Sequence, residues 1–268
     1  MANKIYKTDE HGGRTYRYPG HRGNYPGVTR IIGTTWPSGG LEQWKMWNLA
    51  RRFIANGDSM QKFLQSVEKI PNAFRDADIK HIQTVFSEWR EDYTAANRGT
   101  RIHQGVEDYF KGKKKKQLRK EMSPDEYPAV ATAIDALERL RMTPEYLEVP
   151  AFRFDPKYAG TIDMIVKYTR LHHGKEHTYR AVVDLKTGKR INRSYAPQVA
   201  AYAMADEIWV NEEFIPMPAV SSAFILHVSA NKGDFYRINL HNGWKDFEAC
   251  YRIYQAANNP GSLWKYGD

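Results

Sequence analysis

The segment Ala181-Val182-Val183-Asp184-Leu185-Lys186-Thr187-Gly188 places a carboxylate and an ammonium two residues apart on an otherwise apolar run. In an extended strand alternate side chains share a face, so Asp184 and Lys186 project together while Val183 and Leu185 point the other way, into a core. Such strands normally avoid charge. A second acid, Asp163, closes Gly160-Thr161-Ile162-Asp163, where glycine permits close approach of another chain or a ligand. Paired carboxylates hold a hard divalent cation, and a neighbouring lysine can orient or deprotonate a water. This is the chemistry of metal-dependent phosphodiester hydrolysis.

Other residues can complete such a site. Glu148 is the natural third acid on the preceding strand. Gln198 and Tyr202, spaced i, i+4, share one face of a helix that looks back at the strand ends. His103 follows Gly99-Thr100-Arg101-Ile102 on an earlier helix. A histidine ligand shifts metal preference somewhat toward Mn²⁺.

The elements that must position these groups follow from pattern. Residues 1–40 are rich in Gly, Pro and Tyr and read as irregular, with a short strand near Val28–Ile32. Leu41, Trp44 and Leu49 have helical spacing. Residues 58–90 read as polar helix broken near Pro71. A helix from Glu91 to Phe110 carries Ile102, Val106, Tyr109 and Phe110 at i, i+4, i+7, i+8. The basic run 111–116 reads as a loop. Ser123 as N-cap, Pro124 at the first position and Glu126 as capping-box partner predict a helix to about Arg141. Tyr146–Phe154, Gly160–Tyr168 and Thr178–Thr187 read as strands, the last two an antiparallel hairpin around the polar loop Leu171–His177. A helix over Ala196–Trp209, strands Val220–Ser229 and Asp234–Leu240, and a helix Trp244–Ala257 complete the chain. The order predicts one integrated α/β domain: residues 1–143 contribute the irregular and helical part with the His103 helix, and 144–268 the sheet.

Bulk properties narrow the function. The 268 residues are 41% hydrophobic, enough for a sizeable core. A mean hydropathy of −0.68 and the lack of a long apolar run argue against a membrane span. Met1–Tyr6 lacks the apolar stretch of a secretory signal, and Asp9 and Glu10 argue against a transit peptide. One cysteine, Cys250, excludes an intramolecular disulfide and any four-cysteine zinc or iron–sulfur site, and points to a reducing compartment. Forty Lys+Arg against 31 Asp+Glu give +9, which favours a polyanionic partner through counterion release.

Four separated motifs carry a resemblance. Gly99-Thr100-Arg101-Ile102-His103 with Glu107 and Tyr109, Tyr158-Ala159-Gly160-Thr161-Ile162-Asp163, Val183-Asp184-Leu185-Lys186-Thr187-Gly188, and Tyr195-Ala196-Pro197-Gln198-Val199-Ala200-Ala201-Tyr202 together resemble the PD-(D/E)XK nuclease superfamily, within it the RecB-like exonuclease branch. Tyr25-Pro26-Gly27-Val28-Thr29-Arg30-Ile31-Ile32, followed by Leu41 and Trp44, is similar to the N-terminal segment of viral and mitochondrial genome-maintenance exonucleases. Gly27 stands where that segment often has serine. The resemblance spans about residues 25–230. It implies a restriction-endonuclease-like central mixed sheet flanked by helices. It also implies one or two Mg²⁺ or Mn²⁺ ions held by His103, Asp163, Asp184 and the Leu185 carbonyl, with Lys186 as the water-orienting catalytic residue. By the same resemblance Asp163 and Asp184 would act beside it, with Glu148 as the first-strand acid, whose place varies in the family, and Gln198 and Tyr202 would support the site. With Cys250 alone the chain is similar to the cluster-free subgroup, without an iron–sulfur cluster.

The implied function is a DNA exonuclease, viral, working on DNA ends in replication or recombination. Its location would be cytoplasmic, in the host cytoplasm, with DNA and a replication or recombination protein as partners and no membrane. The rivals are an endonuclease of the same superfamily and a non-catalytic nucleic-acid-binding protein on a nuclease fold. Blander readings stand beside several residues. Asp184 and Lys186 can form a structural ion pair, and lysines 113–116 can form a solvated loop. His172, His173 and His177 read as exposed turn residues far from the acids. Tyr16, Tyr18, Trp36, Trp44 and Trp47 suit either base stacking or a core.

Overall fold

The computed structural model describes residues 6–8, 14–36, 65 and 94–258. By their contacts, residues 1–36 and 99–268 form one compact unit and residues 37–98 a second. The helices expected at Leu41–Ala50 and over 58–90, with Trp44 and Trp47, lie outside the described residues.

The first unit is built on a seven-stranded mixed sheet flanked by helices. In chain order its strands are β4 (Thr143–Arg153), β5 (Tyr158–His172), β6 (Lys175–Lys186), β7 (Glu207–Val210), β8 (Glu213–Pro216), β9 (Ser222–Val228) and β10 (Gly233–Arg237). Their spatial order is β10-β9-β6-β5-β4-β7-β8. Every neighbouring pair is antiparallel except β6 and β9, which run parallel. β5 and β6 make the expected hairpin, but its turn is only two residues. His173 and Gly174 both have positive φ, the geometry that matches strand twist, so the strands run on through most of the segment read as a loop.

Helices α1 (Val28–Thr35), α2 (Thr94–Phe110), α3 (Lys115–Glu121), α4 (Tyr127–Arg139), α5 (Tyr195–Ala203) and α6 (Leu240–Asn258) cover the sheet. Alternation along β6 sends Val182 into a core with Val28, Ile31, Val199 and Phe247 from α1, α5 and α6. It sends Val183 and Leu185 into the opposite core with Ile102, Val106, Ile134 and Leu137 from α2 and α4. None of the described helices is long and apolar enough to cross a membrane.

Several expectations are corrected. Residues 14–36 are ordered rather than irregular: β2 (Arg14–Tyr16) and β3 (Tyr25–Pro26) pair in a small sheet with β1 (Tyr6–Thr8). Val28–Ile32 is helix, not strand, because Val28, Ile31 and Ile32 fall at i, i+3, i+4 and bury one face against the core. Burial of that face outweighs the β-propensity of its residues. Helix α4 begins at Tyr127, not Ser123. The Ser123 carbonyl takes the Glu126 and Tyr127 amides in a turn, and the buried Glu126 carboxylate accepts from Arg101 instead of closing a capping box.

The helix expected to run from Ala196 to Trp209 stops at Ala203. Asp206 ends it by joining β4: its amide donates to the Phe152 carbonyl, and its carboxylate takes the Phe154 amide and Arg153. Ile208 and Trp209 then pair as strand β7. Part of the basic run is helix α3, and its charge is partly spent, Lys113 on Asp108 and Glu121, Lys115 on Asp135 and Glu138.

Candidate metal centre

The site lies where β5 and β6 separate. Their ladder runs from the turn down to Met164 opposite Val183 and stops there, one step short of Asp163 and Asp184. Beyond that step β6 continues only against β9 and β5 only against β4. A sheet that splits leaves backbone groups to be satisfied otherwise. One is met by Asp163, whose Oδ2 accepts the Leu185 amide at 2.8 Å.

β4 and β5 also break alternation at this level. Leu147 and Met164 pack with the α2–α4 core, whereas Val149 and Ile162, two residues along, pack with the α1–α5–α6 core. Between them Glu148 sits opposite Asp163, and Glu148 has φ +49°, a left-handed conformation costly for a side-chain-bearing residue. Strain of this kind survives where the surroundings dictate it, and it clusters at functional sites.

Helix α2 supplies the third group. His103 Nδ1 stands 3.5 Å from both Glu148 Oε1 and Asp163 Oδ2. One ligand atom from each of His103, Glu148 and Asp163 lies within 4.8 Å of the others, the one such potential metal-holding group among the described residues. A small cavity is lined by these three with Glu107 and Leu185. Gly99 in α2 comes close to Thr187, just past the end of β6, since a Cβ there would stand 3.2 Å from Thr187 Oγ1.

Asp184 is only 1% exposed. Lys186 Nζ stands 2.7 Å from its Oδ2, so the buried carboxylate is paired with the ammonium two residues along the strand. A buried carboxylate is costly unless it is paired, and here Lys186 supplies the charge. Gln198 Nε2 reaches Asp184 Oδ1 at 3.4 Å and donates to Tyr202 Oη at 3.1 Å. Tyr195, which opens the fourth motif but is not among the expected site residues, places its ring 5.0 Å below Lys186 Nζ. Its position one turn before Gln198 was the available signal.

The electrostatics fit a cation site. Burial raises the pKa of Asp163, against the pull of His103 and Lys186. Burial likewise pushes Asp184 up to about 6, offset in part by Lys186. Burial opposes a charged His103, yet Asp163 and Glu148 outweigh it and push the imidazole up to about 9. Burial also works against the Lys186 ammonium, and Asp184 and Asp163 overcome it. The acids thus create a field strong enough to keep two partly exposed cationic groups charged, the same field that attracts a metal ion.

Gly160 works by close approach, as its position suggests. A Cβ there would lie inside contact distance of the Tyr202 ring, so glycine lets Tyr202 and with it Gln198 lie against the strand. Gly27 is constrained in the same way, because a Cβ would meet the Arg14 carbonyl oxygen at 2.6 Å. His173 and His177 are exposed at the hairpin turn, the far end of β5 and β6 from the acids. Tyr16 is buried, Tyr18 packs among Phe152, Phe154 and Phe214, and Trp36 packs against the core.

The structure therefore brings His103, Glu148 and Asp163 together on one side of the split, and Asp184, Lys186, Gln198 and Tyr202 on the other, joined through the Asp163–Leu185 bond. A scan against models of known protein families finds no match, and a search of curated proteins finds none either.

Proposed function

We propose that this chain is a divalent-metal-dependent deoxyribonuclease of the PD-(D/E)XK kind, on a restriction-endonuclease-like sheet, attacking DNA from its ends. The observation that carries the reading is the convergence of His103, Glu148 and Asp163 beside the Asp184–Lys186 ion pair. The donor set suits Mg²⁺ or Mn²⁺: oxygen ligands for a hard ion, with one imidazole.

His103, Glu148, Asp163 and Asp184 would hold the ion, with the Leu185 carbonyl near them. A bound Mg²⁺ or Mn²⁺ supplies Lewis-acid charge neutralisation and an acidified water. Lys186 is placed to orient a water and to offset negative charge developing on the phosphate, its ammonium kept charged by Asp184 and Asp163. Gln198 fixes the Asp184 carboxylate, and Tyr202 fixes Gln198. Burial of Asp184 and Tyr202 keeps bulk water from this side of the site and strengthens each charge interaction there.

The +9 balance suits a DNA partner. The test is digestion of DNA in Mg²⁺ and in Mn²⁺, as end-labelled linear strands and as a covalently closed circle. Loss of linear DNA with the circle untouched supports the exonuclease. Nicking of the circle makes it an endonuclease, and intact DNA and RNA in both metals makes it a binding protein without this catalysis.

A further inference from the structure

The lysine run that the sequence makes conspicuous is partly neutralised. Lys113 and Lys115 in that run are held in ion pairs with acids. The segment between Lys186 and Tyr195 differs. It joins the last residue of β6 to the first of α5, so it borders the site at both ends. Lys189, Arg190 and Arg193 within it are exposed and form no ion pair among the described residues.

The segment is held in place without using those charges. The Gly188 carbonyl lies 2.6 Å from His227 Nε2, and Asn192 Oδ1 accepts the Ser194 amide at 3.0 Å. Tyr195 at its far end packs beneath Lys186. Three exposed cations on an anchored loop beside an acidic pocket make an uncompensated positive rim, and phosphates compete well for such groups because they release counterions.

Resting on the nuclease reading above, we propose that the 187–194 loop grips the phosphate backbone of the DNA strand next to the bond being cut, through Lys189, Arg190 and Arg193. These contacts carry no base specificity, since they are to phosphates. They set where along the strand the reactive phosphate rests.

The experiment measures binding of a labelled DNA duplex and of its single strand to the full-length chain in EDTA, across a range of salt. The loop variant is K189Q/R190Q/R193Q, and the control K116Q/R119Q/K120Q removes three exposed charges from α3. Loss of three phosphate contacts should make the log–log salt slope shallower by about 2.7 for duplex and about 2.1 for single strand. The control should keep the wild-type slope, and R190Q or R193Q alone should each remove about one contact. A Mn²⁺-induced rise in Tm equal to wild type shows that the loop variant is folded with its acids in place.

An unchanged slope in the loop variant, with a wild-type chain that binds and cuts DNA, overturns this inference and leaves the nuclease reading standing. Equal flattening in the control also overturns it, since net charge alone would then explain binding. A wild-type chain that neither binds nor cuts DNA removes both proposals together.

Discussion

Glu148 and Asp163 stand opposite each other across β4 and β5 at the step where both strands change face. Neither strand can keep regular alternation there. Glu148 takes a left-handed backbone to do so, and both carboxylates end near the same His103 nitrogen. Bent strands next to active sites commonly re-aim a side chain in this way.

That arrangement trades stability for a site. Glu148→Gly relieves the left-handed conformation, which for an ordinary residue costs roughly 1–2 kcal/mol, against the entropy a glycine loses on folding. Urea unfolding in EDTA should find the variant no less stable than wild type and up to about 1 kcal/mol more stable, while its response to Mn²⁺ falls. A variant clearly less stable but with a full Mn²⁺ response would contradict this.

An ion that binds only the folded chain raises its stability by mass action, about 2.7 kcal/mol at a concentration one hundred times Kd. Scanning calorimetry should show Tm rising with Mn²⁺ and with Mg²⁺ for wild type. His103→Ala and Asp163→Asn should flatten that rise, and Gln104→Ala, beside His103 but bonded to Glu107 and Asp108, should not. A rise of the same size in all four proteins would place the ion elsewhere.

Gly160→Ala should cost about 1–3 kcal/mol, because the added methyl must displace the Tyr202 ring from a packed core. Tyr202 holds Gln198, so nuclease activity should fall further than stability does. Replacing Tyr202 by the smaller Leu in the same variant should recover much of the lost Tm without recovering activity. Chemical denaturation and end-labelled DNA digestion on the same preparations separate the two effects.

Glu145 gives a pH signature away from the acids. The Arg180 hydrogen bond lowers its pKa, against burial, and Lys167 lowers it further. A carboxylate with a folded pKa below its unfolded value of 4.5 stabilises fully above that value. The contribution is then lost as pH falls through the folded pKa. Both basic partners are partly exposed, so the effect is on the order of 0.5–1 kcal/mol. Glu145→Gln should be that much less stable than wild type at pH 7 and equal to it near pH 3, read by urea unfolding at both values. An equal gap at both pH values would discard the assignment.

Much of the site was legible in the sequence because its spacing carries the geometry. The two-residue step from Asp184 to Lys186 fixes their shared face, and the four-residue step from Gln198 to Tyr202 fixes theirs. Gly160 signalled a close approach, and the occupant is Tyr202. The face change at Glu148 and Asp163 was not legible, since Leu147 and Val149 read as neighbours on one face of a strand. Val28–Ile32 reads as strand because β-branched residues favour strands locally, and only packing against the core selects helix α1. Strand β7 was hidden in a helical pattern because the Asp206 contacts that end α5 lie more than fifty residues away in the chain.

The central claim is that a cation held by these acids is what makes the chain cut phosphodiester bonds. It is tested most directly by the rate at which linear end-labelled DNA is digested as Mn²⁺ is titrated, for wild type, Asp163→Asn, Asp184→Asn and Lys186→Ala. The account predicts saturable, chelator-sensitive cleavage by wild type, and a loss of at least about a hundredfold in each variant with DNA binding in EDTA retained. Cleavage at the wild-type rate by Asp184→Asn, or by wild type in excess EDTA, would contradict it.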